Sequence, residues 1–87
     1  MVVVKKFYGT WCGPCKMLNP VFNDLKNEFN GVTFNDIDID ENKDEVMKYN
    51  ITSIPVVIVE KDGEVLNRFT GLTSKMAYTN AINEALK

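Results

Sequence analysis

Cys12 and Cys15 are the only cysteines in the chain, two residues lie between them, and there is no histidine. That inventory narrows the chemistry quickly. A disulfide framework spaces its cysteines to close long loops, where cross-linking restricts the unfolded chain most, and a pair this close staples almost nothing. A structural zinc site needs about four ligands, mostly Cys and His, and one copy of this chain offers two thiolates and no imidazole. What two adjacent thiols do well is exchange: one attacks a disulfide as the thiolate, and its neighbour, at very high effective concentration, expels the mixed disulfide. Two buried structural thiols would be the plain alternative. It is disfavoured because a strand, a glycine-containing loop and a helix surround the pair, the setting that thiol–disulfide chemistry requires.

The elements that must position the pair can be read from the pattern on either side. Val2 to Tyr8 is rich in β-branched and aromatic residues and stops at Gly9, which predicts a short central strand. After Gly13-Pro14, apolar residues recur at helical spacing (Met17, Leu18, Val21, Phe22, Leu25, Phe29), and proline suits a first helical turn. Cys12 therefore falls at a helix N-terminus, where unpaired backbone N–H groups favour a thiolate, and Cys15 sits one turn further in and more buried. Cys12 is the expected nucleophile and Cys15 the resolving thiol. Pro20 lies inside the helical pattern and predicts a kink in one helix, not a second helix start.

Asn30-Gly31 closes that helix, and the alternation from Asn35 to Asp40 predicts a second strand, giving a parallel βαβ unit. Asn42 to Tyr49, acidic early and basic late, reads as a short second helix. Pro55 to Val59 and Glu64 to Phe69, joined at Lys61-Asp62-Gly63, read as an antiparallel hairpin. Thr73 or Ser74 can cap a last helix whose stripe is Ala77, Ala81, Ile82, Ala85 and Leu86. The expected α/β architecture is βαβ, then α, then ββα: a four-stranded mixed sheet flanked by helices, in a single domain over residues 1–87.

Composition excludes other classes. The 87 residues are 45% hydrophobic and 25% charged, an ordinary globular balance, and ten Lys and Arg against twelve Asp and Glu give a net charge of −2. No basic surplus invites nucleic acid, and no apolar run approaches the roughly 20 residues that span a bilayer. Lys5 and Lys6 interrupt the N-terminal apolar residues, so no secretory signal is read and the expected location is cytoplasmic. Asp36, Asp38 and Asp40 imitate calcium-loop spacing, yet the turn glycine would be Glu41 and the bidentate acid Met47, so the reading fails. Six of the twelve acids lie between Asp36 and Glu45 and read as a solvated edge, with a docking face for a basic partner as the alternative. Asn50-Ile51-Thr52 matches a glycosylation acceptor that has no meaning without a secretory signal.

From Val2 to Leu86 the chain resembles the thioredoxin family. Trp11-Cys12-Gly13-Pro14-Cys15-Lys16 matches the family's active-site motif, Pro20 its helix-kinking proline, Ile54-Pro55 its cis-proline, and Asp62-Gly63-Glu64 and Gly71 its hairpin turn and substrate-groove glycine. The family's leading strand and helix have no counterpart in these residues, leaving a short form close to the core shared with glutaredoxins. The resemblance implies a thioredoxin-like fold and a protein dithiol–disulfide oxidoreductase with Cys12 and Cys15 as a redox-active disulfide. It also implies active-site support from Trp11, Gly13, Pro14 and Lys16, and substrate contact at Trp11, Ile54, Pro55 and Gly71. Disulfide-containing proteins would be the substrates of a monomer, with no cofactor, metal, nucleic acid or membrane. The electron donor would be a thioredoxin reductase-like flavoprotein or glutathione, the Gly-Pro spacer favouring the flavoprotein. Two other readings stay open: a glutathione-dependent, glutaredoxin-like reductase, and a binding module that grips a protein through Trp11, Pro55 and Gly71 without redox chemistry.

Two positions depart from the family pattern. Lys6 stands where a buried aspartate is usual and Asp36 where its partner lysine is usual, so the charge pair is expected in reverse. An ammonium there should lower the pKa of Cys12 or Cys15, and Asp36 becomes the candidate acceptor of the Cys15 proton. Lys5 beside Lys6 implies that one of the two reaches water.

Overall fold

The computed structural model describes residues 1–87. Strand β1 (Val2–Tyr8) pairs in parallel with β2 (Thr33–Asp38) and antiparallel with β3 (Val56–Lys61), which pairs antiparallel with β4 (Glu64–Thr70). The order β2-β1-β3-β4 makes β1 an interior strand, paired on both sides and covered on both faces. The hairpin turn places Asp62 and Gly63 at positive φ, 53° and 87°, the backbone that a two-residue turn between twisted strands requires.

Helices α1 (Gly13–Met17) and α2 (Asn19–Glu28) follow β1, α3 (Lys43–Lys48) follows β2, and α4 (Lys75–Ala85) ends the chain. The single kinked helix expected around Pro20 is instead two helices separated at Leu18. Pro20 has no N–H to offer the Lys16 carbonyl and its ring crowds that turn, so the ladder breaks and Pro20 occupies the first turn of α2. Ser74 caps α4, its Oγ accepting the Ala77 N–H at 3.2 Å. The α4 stripe differs at two places: Tyr78 is fully buried, whereas Leu86 is half exposed beyond the helix end.

Strand alternation divides β1 between two cores. Val2 and Val4 join Phe22, Leu25, Val57, Val59, Tyr78 and Ile82 beneath α2 and α4. Phe7 joins Ile37, Tyr49, Ile51, Val56 and Ile58 on the opposite face. Neither Lys5 nor Lys6 is a solvated surface lysine: both are buried, one on each face of an interior strand, and Lys6 meets solvent only through the cavity it lines. Lys5 donates to the Tyr49 hydroxyl at 2.9 Å and to Glu45 at 3.2 Å, with Glu60 at 3.7 Å, while Tyr49 donates to Glu60 at 2.6 Å. That closed set of partners satisfies the Lys5 charge away from solvent.

Candidate functional site

Cys12 and Cys15 are joined in a disulfide, with their Cα atoms 5.3 Å apart. Cys12 is the N-cap residue of α1, and its Sγ accepts the Cys15 backbone N–H at 3.2 Å, so a donor is already aimed at the sulfur where a thiolate would form. Both cysteines are buried, and the expected contrast in their exposure is small. Gly13, Pro14 and Lys16 are exposed around them. A Cβ at Gly13 would meet nothing, so the turn makes no steric demand for glycine there.

Two surfaces flank the disulfide. On one side Trp11, 65% exposed, is tied down by its indole N–H, which donates to Asp40 at 3.2 Å. With Ile39, Val46, Ile51 and Ile54 it lines a mainly apolar cleft of about 330 Å³. Gly9 makes this arrangement possible, because a Cβ there would lie 2.8 Å from a Trp11 ring carbon and 3.1 Å from Ile54 Cδ1. The Ile54-Pro55 peptide bond is cis, Pro55 is buried, and its carbonyl accepts the Gly71 N–H at 2.8 Å. Gly71 takes φ +82°, a backbone open to glycine at little cost. Gly71 therefore joins the site through Pro55 and does not line the cleft.

On the other side, behind Cys15, a cavity of about 390 Å³ is lined by Lys6, Asn19, Asp36, Lys16, Tyr8 and Thr10 together with Cys15 itself. The parallel register sets Lys6 opposite Asp36. The Lys6 ammonium lies 3.6 Å from the Asp36 carboxylate, donates to Asn19 Oδ1 at 2.9 Å and sits 5.1 Å above the Phe22 ring. Lys26 approaches Asp36 from α2 at 3.3 Å. Burial pushes the Lys6 pKa below its ordinary value, and the Asp36 charge offsets this only in part. Asp36 is 41% exposed, so this is a buried cation with a solvated counter-charge.

Sequence reasoning missed Gly9, Asn19 and Asp40. Gly9 reads as a strand terminator and Asp40 as one acid among many, and Asn19 has no part in the sequence reading. The signal for Asn19 is its place one turn beyond Cys15, on the helix covering the strand that carries Lys6. No group of His, Cys, Asp and Glu is arranged to hold a metal, and no helix is long and apolar enough to cross a membrane.

A family model described as Thioredoxin matches residues 1–84. A thioredoxin of Chlamydia pneumoniae is 42% identical over 83 residues, covering 95% of this chain and 81% of that protein. One from Bacillus subtilis is 41% identical over 86 residues, covering 98% and 83%. Among solved structures, a mutant thioredoxin from Halobacterium salinarum superposes with a TM-score of 0.91 at 32% identity over 99% of this chain and 75% of that one. The oxidised mitochondrial thioredoxin 3 of Saccharomyces cerevisiae gives 0.86 at 32% identity over 95% and 77%.

Proposed function

Because this chain belongs to the thioredoxin family and is a thiol–disulfide oxidoreductase, we propose that it reduces protein disulfides through Cys12 as nucleophile and Cys15 as resolving thiol. The observation that carries this reading is the Cys15 N–H held on Cys12 Sγ at the helix start, which stabilises negative charge on that sulfur. The Cys12 thiolate attacks one sulfur of the substrate disulfide and releases the other as a thiolate. Cys15 then attacks Cys12 Sγ, closing the Cys12–Cys15 disulfide and releasing the second substrate thiolate, so two electrons pass to the substrate.

Trp11 and Ile54 form the proposed substrate surface, with Pro55 buried behind Ile54 and Gly71 tied to the Pro55 carbonyl. The indole supplies flat apolar area, and the backbone of Ile54 serves an extended peptide as an added strand. Gly13, Pro14 and Lys16 shape the turn and its rim. We assign the protein to the cytoplasm as a monomer and a flavoprotein reductase as its electron donor.

The test is turnover of a protein disulfide with a thioredoxin reductase and its nucleotide, or with glutathione, offered separately. Sustained reduction with the reductase and not with glutathione is the expected result. Turnover by glutathione alone makes the protein glutaredoxin-like. A Cys12→Ser, Cys15→Ser double variant that still performs the cellular task makes it a binding module.

A further inference from the structure

We propose that the Lys6 ammonium, positioned by Asn19, favours Cys15 as the thiolate once Cys12 is taken up in the mixed disulfide, so that resolution needs no base and the dithiol is poised as a comparatively strong oxidant. This rests on the exchange reading above and adds to it which sulfur carries charge and which residue sets it. Lys6 and Cys15 line one cavity, whereas Cys12 does not. Asn19 Oδ1 fixes the ammonium with a 2.9 Å hydrogen bond but brings no charge to neutralise it.

The charged and titratable groups facing this cavity are Asp36 from β2, Lys16 from α1 and Tyr8 from β1, with Lys26 of α2 beyond Asp36. Asp36 is the only anion among them. It is shared between two ammonium groups and stands partly in water, so much of the Lys6 field remains for a thiolate. A nearby cation favours the charged form of a thiol, and Lys6 and Cys15 line the same cavity. Burial already lowers the Lys6 pKa, and a thiolate at Cys15 would favour its protonated form, so the two groups titrate as a pair.

The exchange balances without a proton acceptor on the protein. Cys12 thiolate opens the substrate disulfide and releases one substrate thiolate; with the Cys12 charge consumed, the Cys15 proton passes to solvent, and the Cys15 thiolate closes the Cys12–Cys15 bond and releases the second substrate thiolate, both of which take protons from solvent. In the reverse direction, as an incoming thiolate attacks Cys12 Sγ, the electron pair of the breaking bond leaves on Cys15 beside the ammonium. Stabilising the reduced form in this way raises the reduction potential.

The experiment uses Lys6→Met, Asn19→Ala and Asp36→Asn, each in the parent and in the Cys12→Ser protein, where Cys15 is the only thiol. Thiolate absorbance should place Cys15 below the ordinary thiol pKa of about 8.5. Lys6→Met should raise that value by about one unit, and shift the dithiol's equilibrium with glutathione about tenfold, near 30 mV, toward the more reducing side. Asn19→Ala, at an exposed position where folding is not at stake, should move both in the same direction by less. The pH profile of mixed-disulfide resolution should follow the Cys15 titration, shifting about one unit upward in Lys6→Met, with resolution no slower in Asp36→Asn. An unmoved Cys15 pKa in both Lys6→Met and Asn19→Ala overturns the proposal, as does slower resolution in Asp36→Asn, which would make the carboxylate the base. The titration and the glutathione equilibrium need no protein substrate, so failure of the exchange reading shows separately, as absent turnover.

Discussion

Two neighbouring lysines on β1 should respond oppositely to the same substitution. Lys6→Met removes a buried ammonium whose only anionic partner, Asp36, lies 3.6 Å away, 41% exposed and also held by Lys26. Methionine can occupy the same space against Phe22. Asp36 keeps Lys26 and water, and exposed Asn19 finds water. The cost of desolvating Lys6 is registered in its lowered pKa, and a pair whose carboxylate is half solvated contributes little attraction to offset it and leaves no buried charge behind when the lysine is removed. The expected gain is about 1 kcal/mol, or about 4–8 °C in Tm for a domain of this size.

Lys5→Met strands Glu60, whose side chain is 10% exposed and would keep only the Tyr49 hydroxyl. Removing one partner of a buried pair costs about 3–5 kcal/mol, and the surviving hydrogen bond favours the lower end. Burial pushes the Lys5 pKa down, but the hydrogen bonds to Tyr49 and Glu45 and the Glu60 charge outweigh it, so the value is raised. Its stabilisation is therefore complete below about 10.5 and is lost as pH rises through the folded-state value. Lys6 has the opposite sign: its lowered value makes it a cost at neutral pH, and that cost fades as pH climbs toward about 10.5. Urea unfolding of the oxidised proteins at neutral and alkaline pH measures both effects. Equal losses in Lys6→Met and Lys5→Met at neutral pH would refute the reasoning.

Gly9→Ala should push the Trp11 ring from its seat, changing tryptophan fluorescence and costing about 1–3 kcal/mol by overpacking; an unchanged spectrum would mean that the close approach is not needed. Asp40→Ala should release the indole and lower its fluorescence anisotropy, with a stability loss near 0.5–1.5 kcal/mol measured by urea. Pro55→Ala should raise KM for a protein disulfide about tenfold, 1.4 kcal/mol, while a small aromatic disulfide is reduced at nearly the parental rate.

The sequence made the parts near the dithiol legible because each carries a local signal. Val2 to Tyr8 announces a strand by β-branching, Pro14 a helix start, and Asp62-Gly63 a turn that needs positive φ. Residues whose meaning depends on distant partners were not legible. Asn19 matters because α2 sets it over Lys6, and Asp40 because Trp11 folds back onto it. The break at Leu18 turned on how far Pro20 disturbs the preceding turn, an outcome of packing that periodicity does not carry. The same holds for Lys5, whose burial follows from Glu45, Glu60 and Tyr49 converging from two other elements.

The order of attack is tested most directly by trapping. Cys15→Ser protein mixed with a disulfide-containing protein should accumulate a stable mixed disulfide at Cys12, visible by mass spectrometry and released by an added thiol, whereas Cys12→Ser should form none on the same timescale. Capture by Cys12→Ser at a comparable rate, or no adduct with Cys15→Ser, would contradict the assignment of Cys12 as the nucleophile.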